Sequence, residues 1–91
     1  MSLGRGYRVR GRVQGVGFRW WTERLARRLG VAGSVRNEAD GSVVVIAWGG
    51  VEALSKLEAE LGKGPAGARV DAVERLADPA PPAPGGFTIA R

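Results

Sequence analysis

A glycine-rich segment near the start of the chain ends in an arginine, and this combination is typical of an anion-binding site. Residues 11–19 have the sequence GRVQGVGFR. An alternating strand pattern leads into the segment and ends near Val13, and apolar residues at helical spacing, including Leu25 and Leu29, follow it. Backbone N–H groups at such a strand-to-helix turn can converge on one bound anion. The segment therefore predicts a phosphate-binding loop that ends at Arg19.

Positive charge is concentrated in the same part of the chain. Residues 1–37 carry nine arginines and one glutamate, whereas residues 38–91 carry five basic and eight acidic residues. A basic surface beside a glycine loop attracts small phosphorylated anions or nucleic acid. A solvated arginine-rich face with no ligand has the same composition. Both interpretations stay open for every arginine except Arg19, which ends the loop.

Several classes of site are excluded by composition. The chain contains neither cysteine nor histidine, so it can form no disulfide, thiolate nucleophile, histidine base or common zinc site. We expect no cofactor and no metal. The longest apolar run, residues 43–48, is too short to span a bilayer, and the start of the chain lacks the pattern of a signal peptide. We expect a cytoplasmic protein without a membrane contact.

The 91 residues suffice for one hydrophobic core, so we expect a single domain over residues 1–91, with residues 1–6 frayed. Strands are predicted from Tyr7 to Val13 and over residues 31–37, 42–46, 70–76 and 87–90. Dense β-branching predicts that the third strand is central and buried. Helices are predicted over residues 20–29 and 51–61, and Asp40-Gly41 predicts a hairpin turn. Residues 78–86 are rich in proline and glycine, which predicts a loop.

This order of elements predicts an α+β fold. It is the ferredoxin-like β-α-β-β-α-β sandwich, in which an antiparallel sheet carries two helices on one face, here with a short terminal strand. The same fold serves RNA binders, metal carriers and enzymes, so it does not by itself define a function.

Two separated motifs resemble the signatures of the acylphosphatase family. The first is residues 11–19, and the second is GSVRN at residues 33–37 followed by DGSV at residues 40–43. The resemblance extends from Tyr7 to Ile89 in the family's order and spacing. It implies a small enzyme that hydrolyses an acyl phosphate to a carboxylate and inorganic phosphate. The sequence does not indicate the oligomeric state, and a monomer is the simplest expectation.

The resemblance also implies roles for individual residues. Arg19 would bind the phosphoryl group, and Asn37 would position the attacking water. Apart from the resemblance, we expect Thr22 to support the loop through a hydroxyl contact. The remaining loop residues would contribute mainly backbone N–H groups: Gln14, Gly15, Val16, Gly17 and Phe18. The chemistry suits a site without a metal, because a carboxylate whose conjugate acid has a pKa of about 4 can leave without a general acid.

Asn37 and the two adjacent tryptophans, Trp20 and Trp21, are each compatible with more than one role. Asn37 is also compatible with an ordinary residue before a turn. Trp20 and Trp21 could stack on bases, but aromatic residues beside an apolar helical stripe more often pack in the core.

An RNA-binding module of the same topology is the main alternative. Residues 5–9, RGYRV, faintly resemble an RNA-recognition strand. Such a strand is the third of its module, whereas this one opens the first, and the predicted third strand offers valines and Ile46 where stacking aromatics are needed. We therefore do not expect nucleic acid as a partner. A non-catalytic regulatory domain of the acylphosphatase type is a further alternative, and the chain length favours a free-standing enzyme over it.

Overall fold

The computed structural model describes residues 3–79 and 85–90. Its elements follow the order predicted for the ferredoxin-like fold: β1 (Leu3–Arg12), α1 (Phe18–Leu29), β2 (Ala32–Asn37), β3 (Val43–Gly49), α2 (Val51–Leu61), β4 (Arg69–Leu76) and β5 (Phe87–Ile89). The predicted fold class is confirmed.

The five strands form one sheet in the order β4-β1-β3-β2-β5. The first four strands pair antiparallel, as predicted, but β5 runs parallel to β2, with Gly33 opposite Phe87. β4 and β5 lie at opposite edges of the sheet and are therefore not paired as a hairpin. Parallel strands are not joined by a tight turn, which agrees with this separation. Residues 80–84 of the predicted proline-rich loop lie outside the described residues.

The core lies between the sheet and the two helices. Tyr7 and Val35 both pair with Val45 of β3, and all three side chains are buried. Leu54, Leu57 and Leu61 of α2 recur at helical spacing and complete the core from the other side. The prediction of a central, buried third strand is confirmed, since β3 lies between β1 and β2.

β1 begins at Leu3, earlier than the predicted start at Tyr7. Leu3 pairs with Gly49, so residues 3–6 belong to the sheet and are not frayed. β3 is correspondingly longer than predicted and includes Trp48. Gly4 faces Trp48 across this pair, and a Cβ atom at Gly4 would lie 2.9 Å from Trp48 Nε1. The apolar alternation of Tyr7 and Val9 does not extend to this start, because Arg5 stands where an apolar residue is needed and Gly4 carries no side chain.

The turn between β2 and β3 is held by local hydrogen bonds. Glu38 N donates to Ser42 O at 2.8 Å, and Gly41 N donates to Glu38 O at 3.1 Å. The Asp40 carboxylate accepts from Ser42 N at 2.9 Å and from the Ser42 hydroxyl. These bonds from Ser42, followed by the nearby Arg10 and Arg8, lower the pKa of Asp40. The predicted hairpin at Asp40-Gly41 is confirmed, and it fixes the chain directly after Asn37.

We expect Asp40→Asn to lower the free energy of unfolding at pH 7, because the amide replaces a charged acceptor. A carboxyl whose pKa is lowered by folding stabilises the protein above its unfolded pKa, and this stabilisation is lost as the pH falls through the lower folded value. The difference between wild type and variant should therefore shrink below a pH of about 4. Urea unfolding at pH 7 and at pH 3 measures it.

Asp71→Asn is the matched control, since the Asp71 carboxylate contacts the exposed Arg69 side chain and exposed ion pairs stabilise proteins little. A destabilisation by Asp40→Asn that is equal at both pH values would show that the charge of Asp40 does not stabilise the turn.

Candidate active site

A cavity of about 180 Å³ joins the glycine loop to the end of β2. It is lined by Val13, Gly15, Gly17, Phe18, Arg19, Trp20, Asn37 and Ile89. Arg19 comes from the first turn of α1, and Asn37 is the last residue of β2. The structure thus brings together the two residues on which the sequence prediction centred.

The loop has a backbone conformation that glycine adopts most readily. Gly15 and Gly17 have φ angles of 75° and 77°. A Cβ atom at either position would meet nothing within 4 Å. These glycines are therefore required by the left-handed backbone and not by a lack of space.

The loop ends at the N-terminus of α1, which has free N–H groups. The helix begins with a hydrogen bond from Trp21 N to Gly17 O at 3.0 Å, which leaves the N–H groups of Phe18, Arg19 and Trp20 outside the helical pattern. No side chain caps this end, and the first turn contains no acidic residue. The helix dipole places partial positive charge at this end. These groups form one wall of the cavity, where an anion would be favoured.

The Arg19 side chain is half-buried and has no ion-pair or hydrogen-bond partner within residues 3–79 and 85–90. No carboxylate of the described residues therefore neutralises its charge. A guanidinium presents planar N–H pairs that match two oxygens of a phosphoryl group.

Unlike Arg19, three arginines on the helix-free face of the sheet lie beside carboxylates. Arg8 and Arg36 both lie near Glu38, with N to O distances of 3.9 and 3.3 Å. Arg10 contacts Asp40 at 3.4 Å and Glu74 at 3.0 Å. Of the two interpretations left open by the sequence, the ion-paired solvated face fits these three arginines.

Asn37 presents a polar amide at the other side of the cavity. The residue is half-buried, and its side-chain oxygen is buried without a hydrogen-bond partner in the described part of the chain. A primary amide can accept a hydrogen bond through its oxygen and donate through its NH₂ group. It can therefore orient a water molecule, although it cannot act as a strong base.

Gln14 has a role that the sequence did not indicate. Its side-chain Nε2 donates to Glu38 O at 2.7 Å and to Ser42 O at 2.9 Å. Both acceptors belong to the turn that follows Asn37. The prediction that Gln14 contributes mainly its backbone N–H was thus incomplete, because its side chain ties the loop to the second motif. The two donors of a carboxamide were a possible signal, but the sequence does not show which carbonyls lie within reach.

The other predicted residues differ in their positions. Gly15, Gly17 and Phe18 line the cavity, whereas Gln14 and Val16 do not. Thr22 is fully buried, and its hydroxyl has no hydrogen-bond partner among the residues described. The predicted hydroxyl contact between Thr22 and the loop is therefore not formed.

The described residues form neither a cluster of metal ligands nor a membrane-spanning helix. Across residues 3–79 and 85–90, no three side chains of the metal-ligating acidic, histidine or cysteine type come together. Neither described helix has the length and hydrophobicity that crossing a bilayer requires.

Comparison with known proteins gives a consistent result. The acylphosphatase family model matches residues 5–89. An acylphosphatase from Nitratidesulfovibrio vulgaris (strain DP4) is 56% identical over 87 residues, which cover 93% of this chain and 87% of that protein. One from Nitrobacter hamburgensis is 59% identical over 66 residues, or 72% of this chain and 67% of that protein.

The fold gives the same result as the sequence comparison. The crystal structure of acylphosphatase from Bacillus subtilis superposes with a TM-score of 0.92 at 30% identity, and the match covers 100% of both chains. Sequence and fold agree over nearly the whole length, and the chain belongs to the acylphosphatase family, whose members are enzymes that hydrolyse acyl phosphates.

Proposed function

We propose that the cavity hydrolyses acyl phosphates without a metal ion, with Arg19 and the loop N–H groups binding the phosphoryl group and Asn37 orienting the attacking water. The proposal is supported above all by the lining of one cavity. The Arg19 guanidinium, which has no carboxylate partner among the described residues, lies there with the N-terminus of α1 and the Asn37 amide. These groups come from two motifs that are separate in the sequence.

Binding follows from charge and shape. The phosphoryl oxygens accept hydrogen bonds from the Arg19 guanidinium and from the N–H groups at the start of α1. Catalysis of phosphoryl transfer is mostly positioning together with stabilisation of charge on these oxygens. Arg19 and the helix N-terminus supply positive charge at the required place, which supports the proposal that no metal is needed.

The reaction then needs only water. The water forms a hydrogen bond with the Asn37 amide, which turns a lone pair of the water oxygen toward phosphorus. A bond forms between that oxygen and phosphorus, and the bond from phosphorus to the acyl oxygen breaks. Its electron pair leaves on the carboxylate, which is a weak base. The proton of the attacking water passes to a phosphoryl oxygen, and the products are a carboxylate and inorganic phosphate.

The alternatives have less support. An RNA-binding surface on the open sheet face would use cations such as Arg8 and Arg10, and both lie beside carboxylates. A non-catalytic domain of the same family would retain the fold but show no turnover. The monomeric state and the cytoplasmic location stay predictions from the sequence.

We expect the wild type to hydrolyse acetyl phosphate in excess EDTA, with little activity on a phosphate monoester, whose alkoxide leaving group is a far stronger base.

Asn37→Ala should lower kcat by about a hundredfold or more with little change in KM, because it removes an interaction with the attacking water. Arg19→Lys should raise KM and lower kcat, because an ammonium group cannot form the planar pair of hydrogen bonds. Steady-state kinetics of the three proteins measure these changes.

Arg28→Lys is the matched control for the arginine-to-lysine change, since Arg28 is exposed on the same helix and does not line the cavity. Thermal unfolding of each variant separates loss of chemistry from loss of fold. The absence of acetyl phosphate hydrolysis by the wild type would contradict the proposed function, and an Asn37→Ala protein with normal kcat would remove Asn37 from the mechanism.

We expect Gln14→Met to lower kcat about tenfold while the inhibition constant of inorganic phosphate changes little. Methionine has a similar length but no donor, so the loop loses its link to the Glu38 and Ser42 carbonyls. Phosphate binding by Arg19 and the loop N–H groups does not require that link. Kinetics with phosphate as a competitive inhibitor measure both constants.

A double-mutant cycle gives the sharper result for Gln14. If Gln14 acts by positioning Asn37, Gln14→Met should cost little further activity in an Asn37→Ala background. If the loss of kcat in the double variant instead equals the product of the two single losses, Gln14 has a role that is separate from Asn37.

A further inference from the structure

Trp20 is an exposed tryptophan beside the candidate active site. Its side chain is 58% exposed, whereas Trp21 packs against Phe18 with ring centroids 5.3 Å apart. The prediction that Trp20 packs in the core is therefore wrong, because the helix turns Phe18, Trp21 and Leu25 toward the core and Trp20 toward solvent. A single exposed apolar residue is common, so its position decides whether it has a role.

That position is the wall of the cavity. Trp20 lines the cavity together with Arg19 and Asn37, and it follows Arg19 directly in the chain. The indole is held in place by Arg24, one helical turn later, whose guanidinium carbon lies 4.6 Å from the ring centroid. Arg24 has no carboxylate partner in the part of the chain that the structure describes. The pair thus keeps a flat apolar surface at the edge of the cavity.

The size of the cavity indicates what this surface would contact. Its volume of about 180 Å³ is below the roughly 300–1,000 Å³ typical of small-molecule sites. It can hold a phosphoryl group with an adjoining carboxyl group, but a larger acyl group must extend beyond it. In an in-line displacement the leaving group lies opposite the attacking water. In the proposed mechanism the water lies at Asn37, which is on β2. Trp20 lines the same cavity from a different element, α1, and is therefore available to the leaving acyl group.

We propose that Trp20, held by Arg24, is the platform for the acyl group and favours acyl phosphates whose acyl group is flat and aromatic. The proposal rests on the proposed function, since it takes the phosphoryl group to be bound at Arg19. An aromatic ring gains by packing on the indole, through burial and through the geometry that aromatic pairs prefer. An acetyl group is too short to use this surface.

The test compares benzoyl phosphate with acetyl phosphate. The two substrates share the phosphoryl group, so effects on Arg19, Asn37 and the loop cancel in the ratio of their kcat/KM values. We expect Trp20→Ala to lower this benzoyl-to-acetyl ratio by about three- to tenfold. Trp20→Phe should retain most of it, and Arg24→Met should lower it in part by freeing the indole.

Val51→Ala is the matched control, because Val51 is also an exposed apolar residue, at 57%, and lies outside the cavity lining. If Trp20→Ala leaves the ratio unchanged, or lowers both kcat/KM values equally, the acyl platform is contradicted while the proposed function stands. If the wild type hydrolyses neither substrate, the proposed function and this inference fail together.

Discussion

The pairing of β3 with both of its neighbours is the constraint on which the site depends. Val43 at the start of β3 lies opposite Val9 of β1 and opposite Asn37 of β2. The loop that leaves β1 and the end of β2 must therefore meet at the same end of the sheet. The Gln14 side chain then ties the loop to the turn after Asn37 through two hydrogen bonds. The strand register sets the approximate distance between the loop and Asn37, and the Gln14 carboxamide fixes their relative position.

Electrostatics separate the site from the rest of the basic surface. The chain has a net charge of +5, but arginines on the open sheet face lie beside carboxylates from neighbouring strands and turns. Arg19 has no such partner among the described residues, and the N-terminus of α1 adds partial positive charge beside it. An anion is therefore attracted to the cavity more than to the paired face. The same distinction explains why a count of arginines could not identify the site.

Features that repeat along the chain or match a motif could be predicted from the sequence. Alternation at Tyr7 and Val9 and helical spacing from Leu54 to Leu61 gave the order of elements, and two motifs indicated Arg19 and Asn37. Features that depend on tertiary neighbours could not be predicted from the sequence. The start of β1 was missed because Arg5 interrupts the apolar alternation, and the pairing of Gly4 with Trp48 shows only in the structure.

Two of the errors at the site, at Trp20 and at Gln14, concern which neighbours a side chain contacts. The apolar stripe of α1 suggested burial for adjacent tryptophans, but a helix can turn only one of two consecutive residues toward the core. The Gln14 contact joins residues 24 and 28 positions apart, so no local pattern could indicate it.

The central claim is that Arg19 and the loop N–H groups bind a phosphoryl group at the cavity that contains Asn37. It is tested most directly by titrating ¹⁵N-labelled protein with inorganic phosphate and following the amide resonances. The account predicts saturable shifts that are largest for the backbone amides of residues 15–20 and for the Asn37 side chain. It would be contradicted by shifts centred on Arg10 and Arg69, which line a second depression together with Asp40 and Asp71, or by the absence of any saturable shift.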